Sequence, residues 1–519
     1  MNVPGNHNYN LGHCFVEVLE SNASQTALWY GERHYRYDHL SRWIETISGL
    51  LVAQGIRRGD VIAVGHTKQP LSYALMHAAL RLGIAYVIID VESPIERTSG
   101  ILKGSGASHL FYDDPLHESS MLELANASRC TLHLLAEDGL PAITDSERVE
   151  QMRLMRQVDG STIAYIMFTS GSTGIPKGVA VTHQNVLHFI AWGQEFFGIT
   201  SRDNFANLSP MYFDNSVFDF YVGMFSGACL TPISRELLNS PYELVPYIEK
   251  MKCTIWFSVP SLLMYLMTMK AISAASLPDL RSIVFGGEGY PKVELKKLYD
   301  WFRDRAELVN VYGPTECTCI CSAHTLVDEN FSDLTGLPTL GRLNPNFDYR
   351  ILDEDGNDSS CGELCLIGPN VAAGYFNDLE RTRTSFHTLT EPNRFMKRMY
   401  RTGDLVRESD GKLYFVGRKD NQIKHMGYRI ELEEIEHALV TLSAVDQAAV
   451  VYHRTNENFG KLIGFVAGSS TVEEKFLLTG LSKLLPDYMM PSKLILMESL
   501  PKSPNGKVDR QYLRGLLDK

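Results

Sequence analysis

Short unbroken apolar runs alternate with longer stretches of helical periodicity along the early chain. DVIAVGH (60–66) reads as a buried strand, LSYALMHAALRLG (71–83) as a helix that a glycine ends, and AYVIID (85–90) as the next strand. Strand, helix and strand without a tight hairpin predict parallel βαβ units. The pattern recurs at TIAYIMF (162–168), TIWFSVP (254–260) and SIVFGG (282–287), each expected to lead through a loop into a helix. The texture changes near residue 340, where RILDEDGNDSSCGELCLIG predicts a β-hairpin with an Asp-Gly turn and LYFVG (413–417) a further strand. Beyond GRKDNQIKHMGYRI the pattern predicts a helix at 431–442, strands around 447–453 and 461–467, and a helix near 472–484. The expected architecture is α/β: a large N-terminal domain (1–419) of parallel-rich sheets flanked by helices with a β-rich subdomain, then a small mobile α+β domain (420–519). The charged GRKDN stretch marks the boundary.

Composition narrows the class. With 519 residues, 44% of them hydrophobic, the chain can bury a large core and is too long for one compact domain. Its formal charge is −12, with both signs mixed and no lysine/arginine block, so nucleic acid is not an expected partner. MNVPGNHNYN lacks the charged and apolar regions of a secretory leader, and no apolar run reaches the ~18 residues of a membrane span. Nine cysteines, an odd count, point to free thiols; together with the missing leader and span, this makes a cytoplasmic location with no membrane partner the expectation.

The chemistry concentrates first in FTSGSTGIPKG (168–178). Its glycines let backbone N–H groups approach a phosphate, and Ser170, Ser172 and Thr173 add hydroxyl donors. Lys177 supplies a point charge, but Pro176 and Gly178 flank it where a P-loop would run GK[ST] into a helix. Thr182 is placed to cap a helix whose apolar face includes Val186, Phe189 and Ile190. Taken alone, the stretch reads equally well as a polar surface loop.

Other segments decide the matter. LGIAYVIIDVESPIER, FTSGSTGIPKGVAVTH, YFDNSVFDF, GGEGY, NVYGPTE, GELCLIG, YRTGDL, GRKDNQIKHMGYRIELEEIE and PNGKVDR follow one another along the chain. In kind and order they resemble the motifs of the adenylate-forming superfamily: acyl-CoA ligases, luciferases and the adenylation domains of nonribosomal peptide synthesis. The resemblance runs from about residue 20 to residue 513.

It implies the reaction carboxylate + ATP → acyl-AMP + pyrophosphate, in which the ionised carboxylate attacks the α-phosphorus and no general base is required. Catalysis then rests on in-line positioning and charge neutralisation. The matching positions assign Thr169, Ser170, Gly171, Ser172, Thr173, Gly174 and Lys177 to the departing phosphates. Gly287, Glu288 and Gly313 fall to the nucleotide, Asn310 and Tyr312 to the adenine, and Thr315 to the α-phosphate. Asp404 and Arg418 match the ribose contacts, and Glu316 the ligand of Mg²⁺, an ion that prefers hard oxygen. Lys507 resembles the catalytic lysine that bridges substrate carboxylate and α-phosphate. Asp420 matches a hinge about which the small domain turns, bringing Lys424, a second catalytic candidate, and Gly427 to the site for thiol transfer.

Asp214 carries most of the substrate information. In amino-acid-activating members the matching aspartate pairs with the substrate ammonium, which answers the cost of burying a lone carboxylate. Read without the motif, it caps a helix starting near Ser216. The other pocket positions are Asn215, Phe218, Phe257, Val284, Gly286, Val311, Cys319 and Ile320. They favour an aliphatic amino acid such as isoleucine, valine or leucine, and Asn215 keeps a β-amino acid open. ECTCICS (316–322) predicts a strand with Cys317, Cys319 and Cys321 on one face, read as buried small side chains rather than a metal site. With no carrier-protein or condensation motif in the chain, the expected partner is a freestanding peptidyl or acyl carrier protein bearing phosphopantetheine, and a small activator protein is a further candidate. A ligase using free CoA is the nearest alternative and a D-alanine–carrier ligase is closer in kind, though its small substrate fits an open aliphatic pocket poorly. An inactive acyl-adenylate-binding module is the alternative of another class.

Overall fold

The computed structural model describes residues 9–171, 174–390, 397–454, 460–468, 473–502 and 508–517. The first predicted βαβ unit is present: Val61–Gly65 and Ala85–Ile89 pair in parallel, and helix Pro70–Leu82 crosses between them. That helix closes on Gly83 at φ +69°, a conformation that glycine adopts without steric cost. All thirteen of its residues are buried, which explains why its sequence shows little amphipathic contrast. These strands belong to a seven-stranded sheet that also holds Ile163–Thr169 and Lys177–Thr182.

The stretch after TIAYIMF departs from expectation. The glycine-rich loop does not open onto a helix; Lys177 begins a return strand that pairs antiparallel with Ile163–Thr169. KGVAVT is as apolar as the strand before it, so the loop closes a hairpin, and helix His183–Phe197 starts only afterwards. Thr182 caps that helix as predicted, its hydroxyl accepting from the Asn185 N–H at 3.3 Å. A second departure lies earlier: Thr26–Tyr30 and Arg33–Arg36 form an antiparallel pair where strand–helix alternation was expected, the chain turning at Gly31 with φ +59°.

A nine-stranded sheet packs against the first through the main apolar core. Its central strands, among them Ile255–Ser258, Ser282–Gly286 and Glu307–Tyr312, run parallel, and its edges are antiparallel. Parallel strands deliver their carboxyl ends to one side, and Gly286, Tyr312 and the loops after them lie there together. An antiparallel five-stranded sheet follows, including the predicted hairpin Asp348–Leu352/Cys361–Ile367. Within it Asp404 and Arg418 are directly cross-strand.

Beyond the GRKDN stretch come hairpin Gln422–His425/Tyr428–Glu431, helix Leu432–Val440, a three-stranded sheet and helix Glu474–Leu481. They enclose their own core of Ile430, Leu432, Ile435, Leu439, Val450, Leu462 and Leu477. The cysteine stretch is not a strand. Thr315–Cys317 forms a single 3-10 turn, and Thr318 and Cys319 follow with φ of +62° and +72°. Two successive left-handed residues break the alternation, so the three buried cysteines do not share a strand face; all nine cysteines are free. No helix among the described residues is long and apolar enough to cross a membrane.

Candidate active site

One cavity lies where the carboxyl ends of the parallel strands meet the five-stranded sheet and the small domain. Thr169 and Ser170 reach it from the glycine-rich stretch, and Asp214 and Asn215 from the YFDNS segment. Gly287, Gly313 and Thr315 border it from the loops after two parallel strands, Asp404 and Arg418 from the antiparallel sheet, and Lys424 and Gly427 from the small domain. Residues separated by more than 250 positions thus converge on one space.

Charge pairs divide it into regions. Asp404 accepts from the Tyr312 hydroxyl at 2.6 Å and from Arg418 Nη1 at 2.7 Å. Arg418 also forks onto Asp420, so the expected ribose contacts and the expected hinge form one connected network. Burial pushes the Asp420 carboxyl up, but the guanidinium more than offsets that and holds it below its ordinary value. Asn310 donates from its amide NH₂ to the Thr339 carbonyl at 2.8 Å.

Glu316 is fully buried. It accepts from Arg429 Nη1 at 2.7 Å and from the Tyr375 hydroxyl at 2.9 Å, and Lys177 Nζ stands 3.6 Å away. Burial alone would raise this carboxyl; the guanidinium and the ammonium hold it well below the usual carboxylate range. Burial, then Arg429, pushes the Lys177 ammonium down. The hard oxygen donor expected for a divalent cation is therefore present and ionised. In this arrangement its charge is answered by protein cations.

Asp214 Oδ2 accepts from the Thr315 hydroxyl at 2.6 Å, and the carboxylate makes no ion pair among the described residues. Burial raises its carboxyl, against the lowering effects of Thr315, Lys424 and Arg429. Around it, Asn215, Phe257, Val311, Cys319 and Ile320 line the cavity. Phe218, Val284 and Gly286 do not. Phe218 is wholly buried edge-on to Phe257 at 5.6 Å between ring centroids, and Val284 sits mid-strand between Phe257 and Val309. At Gly286 a β-carbon would lie 2.4 Å from the Val311 carbonyl oxygen, so that position sets strand packing.

Lys424 holds its ammonium 5.8 Å above the Tyr312 ring and is pushed down by burial. Glu288 accepts from the Gly427 N–H, tying the small domain to the strand ends. Gly171 and Gly174 lie at the small-domain interface: the Gly171 N–H donates to Glu434 Oε2 at 3.3 Å, and a β-carbon on Gly174 would meet the His437 ring. Ser172, Thr173 and Lys507 lie outside the described residues. Arg429 and the aromatic group of Phe213, Tyr428 and Tyr488 escaped the sequence reading; Tyr428 stacks on Tyr488 at 3.7 Å with Phe213 edge-on. Phe213, Tyr428 and Arg429 lie inside quoted motifs, whereas Tyr488 lies in none.

A large fold with a strand-end cavity, a glycine-rich hairpin loop and a small domain closing over it defines a class of nucleotide-dependent ligases. The AMP-binding enzyme family matches residues 15–376 and its C-terminal domain matches residues 434–507, and the chain belongs to that family of adenylate-forming, AMP-forming ligases. It is similar to the D-alanine–D-alanyl carrier protein ligase of Bacillus cereus (strain AH187), with 32% identity over 465 residues, 88% of this chain and 89% of that one. Among solved structures it resembles the Vibrio cholerae adenylation domain AlmE in complex with glycyl-adenosine-5'-phosphate: TM-score 0.84, 25% identity, 100% of both chains. An artificially fused adenylation–PCP di-domain from Klebsiella oxytoca shares the fold with TM-score 0.77 and 22% identity over 93% of each chain.

Proposed function

We propose that the protein activates an amino acid with an uncharged aliphatic side chain as its aminoacyl-AMP and passes it to the phosphopantetheine thiol of a separate carrier protein. Asp214 carries this reading: a partly buried carboxylate bonded to the Thr315 hydroxyl, without an ion-pair partner among the described residues, facing a cavity. A substrate ammonium would supply the missing charge, and the expected pocket positions beside it, Asn215, Phe257, Val311, Cys319 and Ile320, carry no charge of their own.

With the ammonium on Asp214, the Thr315 hydroxyl that bonds Asp214 belongs to the residue that would contact the α-phosphate. Asp404 and Arg418 hold the ribose, Tyr312 lies against the adenine, and Asn310 accepts from its amine. A substrate carboxylate oxygen bonds to the α-phosphorus as the bond to pyrophosphate breaks, and the electron pair leaves on pyrophosphate. Magnesium bound at Glu316 would neutralise phosphate charge; one carboxylate suffices where substrate phosphates and water complete the shell. Lys177 and the glycine-rich loop attract the departing phosphates, and Lys507 acts between carboxylate and phosphate.

Lys424 and Gly427 at the cavity correspond to the thiol-accepting orientation of the small domain, with rotation about Asp420 separating the two half-reactions. Similarity to ligases named for carrier proteins supports the acceptor. Because Phe218, Val284 and Gly286 do not line the cavity, the space favours a small side chain, and the names of the relatives add alanine and glycine as a second reading. The test is ATP–pyrophosphate exchange with glycine, both alanine enantiomers, valine, leucine, isoleucine and β-amino acids, then loading of carrier protein against free CoA. Exchange with an aliphatic member and loading of carrier protein are expected; exchange with none defeats the reading, and preference for CoA defeats its second half.

A further inference from the structure

The turn between strand Val61–Gly65 and helix Pro70–Leu82 sends a buried lysine across to the other large sheet. Lys68 Nζ donates to three backbone carbonyls, that of Asn207 at 2.7 Å and those of Leu208 and Ile233 at 2.9 Å. Three acceptors match the three donors of an ammonium; a neutral amine would turn its lone pair on a carbonyl. Asn207 closes strand Asn204–Asn207, and Ile233 follows its parallel neighbour Cys229–Pro232. Lys68 itself sits at φ +69°, uncommon for a residue with a β-carbon, so backbone strain accompanies the reach of its side chain.

Asn207 also leads to the far end of the segment that carries Asp214. Its side-chain amide accepts from the Tyr73 hydroxyl at 2.8 Å and donates to Asp219 Oδ2 at 3.0 Å. Asp219 is wholly buried, and its other oxygen has no hydrogen-bond partner among the described residues. Burial pushes the Lys68 ammonium down and the Asp219 carboxyl up, and each charge opposes the other's shift. Asp219 lies in the π-helical stretch Phe218–Gly223, whose Tyr221 hydroxyl is bonded to that of Tyr86 at 2.7 Å. Asp214 and Asn215 stand between Leu208 and Asp219.

We propose that Lys68 and Asp219 are positioning residues for the amino acid: the ammonium fixes the start of segment 208–219, the carboxylate fixes its end, and Asp214 is thereby aimed into the cavity. The inference rests on the adenylation reading above. Neither residue lines the cavity, and the expected ribose contacts Asp404 and Arg418 come from the antiparallel sheet, so the effect falls on the amino acid and not on the nucleotide.

ATP–pyrophosphate exchange and hydrogen–deuterium exchange on the full chain test this together. Lys68→Met is expected to raise KM for the amino acid about 30-fold while KM for ATP stays within about threefold. Asp219→Asn, which keeps the side-chain shape, is expected to raise KM for the amino acid about tenfold; Lys68→Met/Asp219→Asn should do no worse than Lys68→Met, since no lone charge is then buried. Without substrates, the Phe213, Ser216 and Val217 amides, each bonded to a carbonyl within the segment, are expected to exchange about tenfold faster in Lys68→Met, with strand Ser282–Gly286 unchanged. Should Lys68→Met not fold, Asp219→Asn carries both readouts. Equal rises in both KM values overturn the proposal, as does unaltered exchange across 208–218 in both single variants. A loosened segment in protein that exchanges pyrophosphate with no amino acid defeats the adenylation reading and leaves the anchoring of the segment standing.

Discussion

Thr315 donates its hydroxyl to Oδ2 of Asp214 at 2.6 Å, so the segment proposed to contact phosphate also orients the proposed amino-group anchor. One carboxylate oxygen is fixed and the other is left for the substrate. Removing the carboxylate from a desolvated pair costs about 3–5 kcal/mol. Asp214→Ala is therefore expected to lower kcat/KM for the amino acid by about 10²- to nearly 10⁴-fold in ATP–pyrophosphate exchange, on the same arithmetic. The matching carboxylic acid without an amino group has no ammonium to lose and is expected to fare equally well or better in the variant. A parallel loss for both substrates would place the amino group elsewhere.

Tyr312 tests the nucleotide end. Its hydroxyl donates to Asp404 at 2.6 Å and shares that carboxylate with Arg418. Hydrogen bonds to charged groups contribute about 1.5–3 kcal/mol, and Tyr312→Phe keeps the ring for the adenine. The variant is expected to raise KM for ATP about tenfold or more, with KM for the amino acid little changed, because only the orientation of Asp404 suffers. Initial-rate kinetics in both substrates separate the two effects.

Glu316 sets a pH dependence. Arg429 and Lys177 hold its carboxyl below the ordinary value of 4.5, against the opposing effect of burial. A depressed carboxyl contributes stability that is fully present above its unfolded-state value and is lost as pH falls through the folded-state value. Wild-type protein is thus expected to be more thermostable than Glu316→Gln at pH 7, with the gap narrowing progressively once pH drops below 4.5. Thermal unfolding of both proteins from pH 7 to pH 3, on a scale of about one pH unit per step, reads the difference directly. A gap that widens in acid would mean that the buried pair destabilises the fold.

The sequence and the structure part company where chain geometry, not residue type, decides. Helix Pro70–Leu82 and its flanking strands follow the apolar pattern closely because Gly83 supplies a terminator of defined conformation. The return strand Lys177–Thr182 was missed because an apolar segment after a loop fits a strand as well as the start of a helix. The cysteine stretch misled for a similar reason: alternation cannot reveal the left-handed pair Thr318–Cys319. Cavity positions near chain breaks in the pattern, such as Asp214 and Asp404, were legible from motifs. Phe218 shares the motif of Asp214, and Gly286 with Val284 lies in or just before GGEGY, yet none of the three lines the cavity, since depth behind a wall leaves no mark on local sequence. Arg429 acquires its partner only through the seating of one domain on another, which no local signal encodes.

Asp420 provides the test of motion. Its carboxylate forks with Arg418 and accepts from the Gln422 N–H at 3.2 Å, so the boundary is both charged and anchored. Proline there fixes φ near −65° and restricts Lys419 as well, whereas alanine removes the fork and leaves the backbone free. Asp420→Pro is expected to slow one half-reaction by roughly 100-fold or more while the other persists, and Asp420→Ala to keep both within about tenfold of wild type. Pyrophosphate exchange measures the first half-reaction, and thioester formation from a preformed adenylate measures the second. Lys507→Ala supplies the opposite contrast at fixed hinge freedom: adenylate formation is expected to collapse while transfer from the preformed adenylate survives. Equal losses of both steps in the proline and the lysine variants would mean that a single seating of the small domain serves the whole reaction.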